Sequence, residues 1–270
     1  MTEKTFPIYQ IDAFTDEMFK GNPAAVVVLD EWLDNDVMQK IAAENNLSET
    51  AFIVPRDGFY DITWFTPMSE IDLCGHATLS AAHVIFRHLG HETDNIVFRT
   101  RQVGELGVRK EGDILYLDFP SRPPEKIDTM PPHVLEGLGG VKPLEIYQSR
   151  DYMLVYSDSD AIRNIQPDFK TLQKADKWVL ITAPASKTDN CDFVSRMFCA
   201  GDGIEEDPVT GSTHCNLIPF WSERLGKTKM VARQLSARGG TLYCEMKGDR
   251  VQIGGQCLTY LQGTITLPNS

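Results

Sequence analysis

Two short stretches place residues capable of proton transfer and anion binding where a strand gives way to a predicted helix. They are "IDLCGHATLS", which contains Gly75 and His76, and "DPVTGST", which contains Asp207 and Gly211-Ser212. The first N–H groups of a helix have no internal partners and carry partial positive charge, so both helix starts can hold a carboxylate or phosphate. Plain capping of the second helix by its hydroxyl residues is the alternative interpretation.

Spacing alone does not decide the chemical roles of His76 and Cys74 in the first stretch. His76 suits a general base, a hydrogen-bond donor to a carboxylate, or a histidine that is satisfied inside the fold. Cys74 suits either a thiolate activated by the helix start or an inert buried thiol. A metal site would combine these two residues with His214 and Cys215. Neither Cys-x-His nor His-Cys has the spacing of common zinc motifs, so we expect no metal.

Hydrophobic periodicity predicts the elements that position these residues. An amphipathic helix that ends in polar residues is followed at once by an apolar strand, so Glu49 lies at a helix-to-strand junction. A second helix, rich in small and apolar residues, stops at Gly90. In the first half the predicted strands are 7–14, 24–29, 49–55 and 60–66, and the predicted helices are 34–45 and 77–89.

The middle of the chain contains a natural boundary. Five prolines between Pro120 and Pro132 exclude a continuous helix or a central strand, which predicts an N-terminal domain over 1–119, a linker over 120–132 and a C-terminal domain over 133–270. Laying Gly75 on Gly211, an offset of 136 residues, also aligns Leu89 with Leu225 without a gap. The pattern indicates two duplicated halves, although two unrelated strand-to-helix turns would look alike.

Composition limits the partners. With 270 residues, 42% of them hydrophobic, the chain can bury a sizeable core, and its net charge of -12 argues against non-specific binding to nucleic acid or anionic membranes. Six cysteines without a CxxC pair are typical of free thiols in a reducing compartment. We find no stretch of signal-peptide or membrane-spanning character and predict a cytoplasmic protein.

Several motifs taken together resemble one known family. The stretches "IDAFTDEMFKGNPAAVVVL", "NNLSETAFIV", "DLCGHATLSAAHVIF" and "EEDPVTGSTHCNLIPFW" are similar to the PhzF-like phenazine biosynthesis family, which has the diaminopimelate epimerase-like fold. The resemblance implies an α+β protein of two pseudo-symmetric domains with the active site in a cleft between them. Each domain would be a curved, mainly antiparallel sheet around a central helix, here 77–89 and 212–225, and the last strand can return to the first domain. Pro219 should bend or break the second central helix.

The resemblance also implies a function. The family's characterised isomerase moves a proton on a cyclic amino-hydroxy acid without a cofactor, and its acid/base glutamate falls on Glu49 in the Ser48-Glu49-Thr50 motif. Its histidine and aspartate fall on His76 and Asp207, and its glycine and glycine-serine positions fall on Gly75 and Gly211-Ser212. We therefore expect Glu49, His76 and Asp207 to be catalytic and the remaining residues, Ser48, Gly75, Gly211 and Ser212, to bind a small carboxylate substrate. By the same resemblance we expect a homodimer and no cofactor.

Two rival functions remain. Racemases and epimerases of this fold use two cysteines as opposed base and acid, and Cys74 stands at the first of those positions. Its counterpart in the repeat is Thr210, whose hydroxyl is too weak an acid to replace a thiol. The second rival is a non-catalytic protein that binds small carboxylates or a protein partner.

Overall fold

A computed structural model describes residues 3–202 and 204–268 and divides into two compact units. The first unit holds the described residues up to Asp118 and those from Gly254 onward, and the second holds Phe119–Ile253. The division into domains at 119 and 133 stays a prediction.

Both units combine many strands with a few helices. The strands of the first half are β1 (Glu3–Ala13), β2 (Asn22–Val28), β3 (Glu49–Pro55), β4 (Tyr60–Phe65), β5 (Glu70–Ile71), β6 (Asn95–Thr100), β7 (Glu105–Glu111) and β8 (Ile114–Pro120). The later strands are β9 (Glu125–Ile127), β10 (Glu145–Gln148), β11 (Tyr152–Val155), β12 (Val179–Pro184), β13 (Phe193–Cys199), β14 (Ile204–Asp207), β15 (Lys229–Gln234), β16 (Gly240–Lys247), β17 (Arg250–Gly255) and β18 (Cys257–Pro268). The helices are α1 (Asn35–Asn45), α2 (Gly75–His88), α3 (Pro132–Gly137), α4 (Ser159–Arg163), α5 (Phe169–Leu172) and α6 (His214–Leu225), and a 3-10 turn covers Ala200–Asp202.

The sheet of the first unit is mainly antiparallel. Its pairing order is β18-β1-β2-β3-β4-β6-β7-β8, in which only the pairs β2–β3 and β4–β6 are parallel among the described residues, and β5 pairs with β4. The last strand of the chain thus lies in the first unit, paired with β1 from Glu3 opposite Pro268 to Ala13 opposite Cys257. Helix α2 packs against β1, β2 and β3.

The sheet of the second unit repeats that pattern over seven strands. Its pairing order is β9-β10-β11-β12-β13-β15-β16, with the parallel pairs β11–β12 and β13–β15 and with β14 paired to β13. The parallel pairs occupy the same places in both sheets, and α2 and α6 each follow the short side strand. The α+β fold class is confirmed, and the matching topology agrees with duplicated halves.

Helix α2 is buried because its sequence carries small and apolar side chains on most sides. Its core-facing residues, Ala77, Leu79, Ala81, Ala82, Val84 and Ile85, are fully buried. The buried hydroxyls of Thr78 and Ser80 donate to the carbonyls of Cys74 and His76 at 2.5 and 2.9 Å. These bonds satisfy polar groups that would otherwise be costly inside the unit.

Helix α6 begins at His214, two residues after the predicted start, because Gly211 and Ser212 form a turn ahead of it. The helix continues through the buried Pro219, so of the two predicted effects, a bend or a break, the break is wrong and the bend stays a prediction. Proline lacks the N–H that would bond to the carbonyl four residues back, which belongs to Cys215. The backbone N–H of Arg122 donates to that carbonyl instead, at 2.9 Å.

Within residues 3–202 and 204–268, every helix is too short or too polar to span a membrane. All six cysteines are free, and five of them are buried.

Candidate active site

Glu49 is the first residue of β3, immediately after α1. Asn46 closes α1 in a left-handed conformation, its N–H donates to the Ala42 carbonyl at 3.2 Å, and half-buried Ser48 follows. Strand β3 runs parallel to β2, with Glu49 opposite Ala24. The starts of the two strands are therefore neighbours, and Asn22, the first residue of β2, lies in the same part of the unit.

His76 is held at the start of α2. Cys74 precedes the helix in an extended conformation, and Thr78 bonds to its carbonyl through both its hydroxyl and its N–H. Among residues 3–202 and 204–268, no hydrogen bond is accepted from the backbone N–H groups of Gly75 and His76. Helix α2 therefore begins with two available N–H donors, and anion binding at this helix start stays a prediction.

Glu49, Cys74 and His76 form one cluster around the imidazole ring. His76 Nε2 lies 2.9 Å from Glu49 Oε2, and the two side chains are only 7% and 12% exposed. On the other ring nitrogen, Nδ1, Cys74 Sγ lies at 3.5 Å and Asn22 Nδ2 at 3.2 Å. The Nε2–Oε2 distance is that of an ion pair, but Glu49 Oε2 has no hydrogen bond of good geometry within the described residues.

The cluster sets the protonation of its members. Burial alone would lower the pKa of His76, but its neighbours Cys74 and Glu49 outweigh burial and raise that pKa well above its usual value. Burial, and next the charge of Glu49, raise the pKa of Cys74. Cys74 is therefore a thiol at neutral pH, and the carboxylate of Glu49 is the charge that favours a protonated imidazole.

Asn22 is the member of the cluster that the sequence analysis did not identify. The stretch from Gly21 to Pro23 reads as a turn, where an asparagine is normally exposed. In the structure its side chain is completely buried. The signal that could have indicated a role is its place directly before a buried apolar strand, since a polar residue there must find partners.

Within the second unit, the predicted residues lie around Thr210. The Thr210 hydroxyl donates to Asp207 Oδ2 at 2.5 Å, and the Gln234 amide donates to the Asp207 carbonyl at 2.7 Å while accepting from the Thr210 N–H at 2.9 Å. Half-buried Ser212 and buried Gly211 follow in the turn before α6. Gln234, from β15, was not predicted, because no local pattern links it to the motif.

Equivalent positions of the two repeats make equivalent contacts. His214 Nδ1 donates to the carbonyl of Thr210 at 2.9 Å, as the Thr78 hydroxyl does to that of Cys74, and both pairs are related by the offset of 136 residues. Burial lowers the pKa of His214 to about 4, although its bond to Thr210 acts in the opposite direction. His214 is thus a neutral structural histidine at the helix start.

The second unit contains a cavity of about 310 Å³. Charged and aromatic residues line it, among them Arg150, Asp151, Asp176, Lys177 and Trp178. None of the predicted site residues contributes to its lining, so its size alone does not make it the candidate active site.

Comparison with known proteins first defines the class of fold. A hydroxyproline epimerase from Agrobacterium vitis, solved with bound trans-4-hydroxy-L-proline, has the same fold: the TM-score is 0.62, 98% of this chain and 93% of that chain are covered, and the sequences are 9% identical. At that identity the likeness concerns the fold alone.

Closer relatives define the family. The profile of the phenazine biosynthesis-like protein family matches residues 11–263. A crystal structure of a PhzF-family protein from Enterococcus faecalis superimposes with a TM-score of 0.92 at 46% identity, over 97% of this chain and 99% of that one. An uncharacterized isomerase of Pseudomonas aeruginosa is 48% identical over 96% of this chain and 98% of its own length.

The chain belongs to the PhzF-like phenazine biosynthesis family. The predicted family and fold are confirmed. The predicted enzyme class, an isomerase, is confirmed at the level of the class by the names of the relatives.

Proposed function

We propose that the protein is a cofactor-independent isomerase that moves a proton between two positions of a small carboxylate substrate, with Glu49 as acid and base. The observation that carries the proposal is the buried contact between Glu49 and His76, 2.9 Å apart at the start of α2. Enzymes place buried histidines with a shifted pKa, such as His76, at sites of proton transfer. A purely structural ion pair would not require the two available backbone N–H donors of Gly75 and His76 beside it.

The proton balance of the reaction needs only one carboxyl group. The Glu49 carboxylate takes a proton from a substrate carbon, and the electrons of the C–H bond shift into the neighbouring π system. The resulting carboxylic acid then gives the proton back to a different carbon, so that Glu49 ends as a carboxylate and the substrate as an isomer. Protonated His76 stabilises the carboxylate at the beginning and end of the cycle.

We propose that the substrate binds at the starts of helices. The N–H groups of Gly75 and His76 are suited to the substrate carboxylate, because they combine unpaired donors with the positive end of α2. We propose Ser48 as a further contact next to Glu49. In the second unit, we propose Asp207 as a catalytic partner and Gly211 and Ser212 as substrate ligands, on the strength of the family resemblance.

The two-thiol racemase is the weaker candidate. Cys74 does contact the imidazole, at 3.5 Å, as a catalytic thiol would. Its counterpart Thr210, however, is buried, and its hydroxyl donates a hydrogen bond to Asp207. Thr210 therefore cannot serve as the second acid. A single-carboxyl mechanism needs no such counterpart.

The test is proton NMR in deuterated buffer with a panel of small carboxylates that includes dihydro-hydroxyanthranilate and amino acids. Wild type should introduce deuterium at a substrate carbon, and Glu49→Gln should lower the exchange rate by about a hundredfold or more, because a positioned acid/base group contributes 10²–10⁴-fold. Glu44→Gln, an exposed change on α1, is the matched control and should leave the rate unchanged.

Other outcomes would redirect the assignment. Exchange that persists in Glu49→Gln and disappears in Cys74→Ser would move the chemistry to the thiol. No exchange with any compound, together with saturable binding of a carboxylate, would identify a binding protein.

We also propose a homodimer located in the cytoplasm. Membership of the family supports the dimer, and six free thiols are typical of a reducing compartment. Light scattering during gel filtration measures the first property, and a mass near 30.3 kDa, that of one chain, would contradict it.

A further inference from the structure

The cluster of Glu49, Cys74 and His76 has the composition of a metal-binding site. Its carboxylate oxygen, thiol sulfur and imidazole nitrogen all lie within 4.8 Å of one another. From the sequence, a metal site would have combined Cys74 and His76 with His214 and Cys215. The sequence did not indicate Glu49 as the third ligand, because Glu49 belongs to a different element, β3. Oxygen, sulfur and nitrogen ligands together are those of zinc, whereas Mg²⁺ and Ca²⁺ select oxygen alone.

The distances are close to those that a tetrahedral ion requires. Ordinary Zn–S, Zn–N and Zn–O bonds separate the ligand atoms by about 3.4 to 3.6 Å. The observed Sγ–Nε2 distance is 4.0 Å and the Nε2–Oε2 distance is 2.9 Å. Changes of roughly 1 Å or less, within reach of side-chain rotation, bring the three atoms around one ion. Glu49 Oε2, which lacks a well-formed hydrogen bond within the described residues, gains a ligand bond.

We propose that this cluster binds one Zn²⁺ ion, or another divalent cation that accepts sulfur, through Glu49 Oε2, Cys74 Sγ and His76 Nε2. As the metal binds, the Cys74 thiol and the Nε2–H of the protonated His76 imidazole each release one proton to the buffer. Water or a carboxylate oxygen of a substrate takes the fourth position, as in open three-ligand sites. The side-chain amide of Asn22 lies 3.2 Å from His76 Nδ1, and with its oxygen turned toward that nitrogen it accepts the Nδ1–H and orients the ring from outside the coordination sphere.

Zinc bound here inhibits the enzyme and is not a cofactor. The ion occupies the carboxylate that would accept the substrate proton, so turnover stops while the metal is bound. This consequence rests on the proposed function of Glu49, whereas binding itself does not. Zinc supply and chelation would then switch the activity through the same three side chains.

The experiment is a titration of the full chain with Co²⁺, a spectroscopic substitute for Zn²⁺, in buffer with a non-chelating phosphine reductant. Wild type should show the thiolate-to-cobalt charge-transfer band in the near ultraviolet at one ion per chain, and Zn²⁺ should displace it. Cys74→Ser should lack the band, and Glu49→Gln should weaken Zn²⁺ binding at least about 10-fold, because one ligand is lost. Cys191→Ser removes a half-exposed thiol elsewhere and should retain wild-type binding.

Defined results would overturn the inference. These are the absence of a charge-transfer band in wild type, an undiminished band in Cys74→Ser, or equal affinity in all variants, which indicates binding at the surface. If Cys74→Ser does not fold, the isosteric Glu49→Gln variant decides the question. A cobalt band without isotope exchange by the metal-free enzyme would contradict only the proposed function, and exchange without a band would contradict only the metal site.

Discussion

The charge state of His76 links the residues of the candidate site. The imidazole is buried, which disfavours a charge, yet it lies between a thiol and a carboxylate. A neutral thiol supplies no charge, whereas a carboxylate within 4–6 Å typically changes a pKa by 1–3 units. Glu49 should therefore determine whether His76 carries a proton at neutral pH.

Removing that carboxylate should reverse the pKa shift of His76. In Glu49→Gln we expect the pKa of His76 to fall, because burial remains while the opposing negative charge is lost. Imidazole ¹⁵N chemical shifts followed during a pH titration measure this directly. Cys74→Ser is the control and should change the pKa much less, whereas an equal fall in both variants would assign the effect to the thiol.

At the scale of elements, the loop between β1 and β2 delivers Asn22 to the cluster. Gly21 immediately precedes Asn22 with a φ of +68°, in the left-handed region that favours glycine. A Cβ at this position would press into the carbonyl oxygen of Ala13 and lie 2.8 Å from Thr15 Cγ2. The loop conformation and the position of Asn22 therefore both depend on glycine.

Gly21→Ala should destabilise the protein by about 2 to 4 kcal/mol, because left-handed strain and steric overlap act together. Gly58→Ala is the matched control: its φ is +79°, but nothing lies within 4 Å of the added Cβ. That variant should lose only about 1 kcal/mol. Urea unfolding of the two variants measures the difference, and equal losses would show that the overlap at Gly21 relaxes at no cost.

At the scale of the whole molecule, two units with the same order of strands and the same parallel pairs indicate a repeated architecture. Each unit has its own apolar core, with Phe52 buried in the first and Phe198 in the second. A buried carboxyl group also affects the stability of the second unit. Asp151, 3% exposed beside the cavity of the second unit, has its pKa raised by burial to about 6, against the opposing effect of Arg150, Lys177 and Arg122.

The raised pKa of Asp151 makes stability depend on pH. The folded protein holds this proton more tightly than the unfolded chain, so the free energy of unfolding should decrease as pH rises from about 4 to about 6 and then stay lowered. Asp151→Asn removes this loss. The stability of the variant relative to wild type should therefore grow by about 2 to 3 kcal/mol between pH 4 and pH 7.5. Urea unfolding at several pH values tests this. Asp128→Asn, on the surface, should show no such trend.

The sequence by itself determined the elements and the family. Strand β3 begins at Glu49 as predicted, α1 ends at Asn45 as predicted, and α2 lies within two residues of its predicted limits. Such features depend on periodicity and capping over a few neighbouring residues, which a sequence displays directly. The motifs that carry the family resemblance are likewise local.

Only the tertiary structure decided which of these local features meet. The contact between Glu49 and His76, and that between Asn22 and His76 across 54 residues, exist because β2, β3 and α2 pack together. The same holds for Arg122, whose N–H compensates for Pro219 in α6, where sequence reasoning had predicted a bend or a break. Contacts of this kind depend on strand register and on the burial of polar groups, and neither is set by the residues adjacent in the chain.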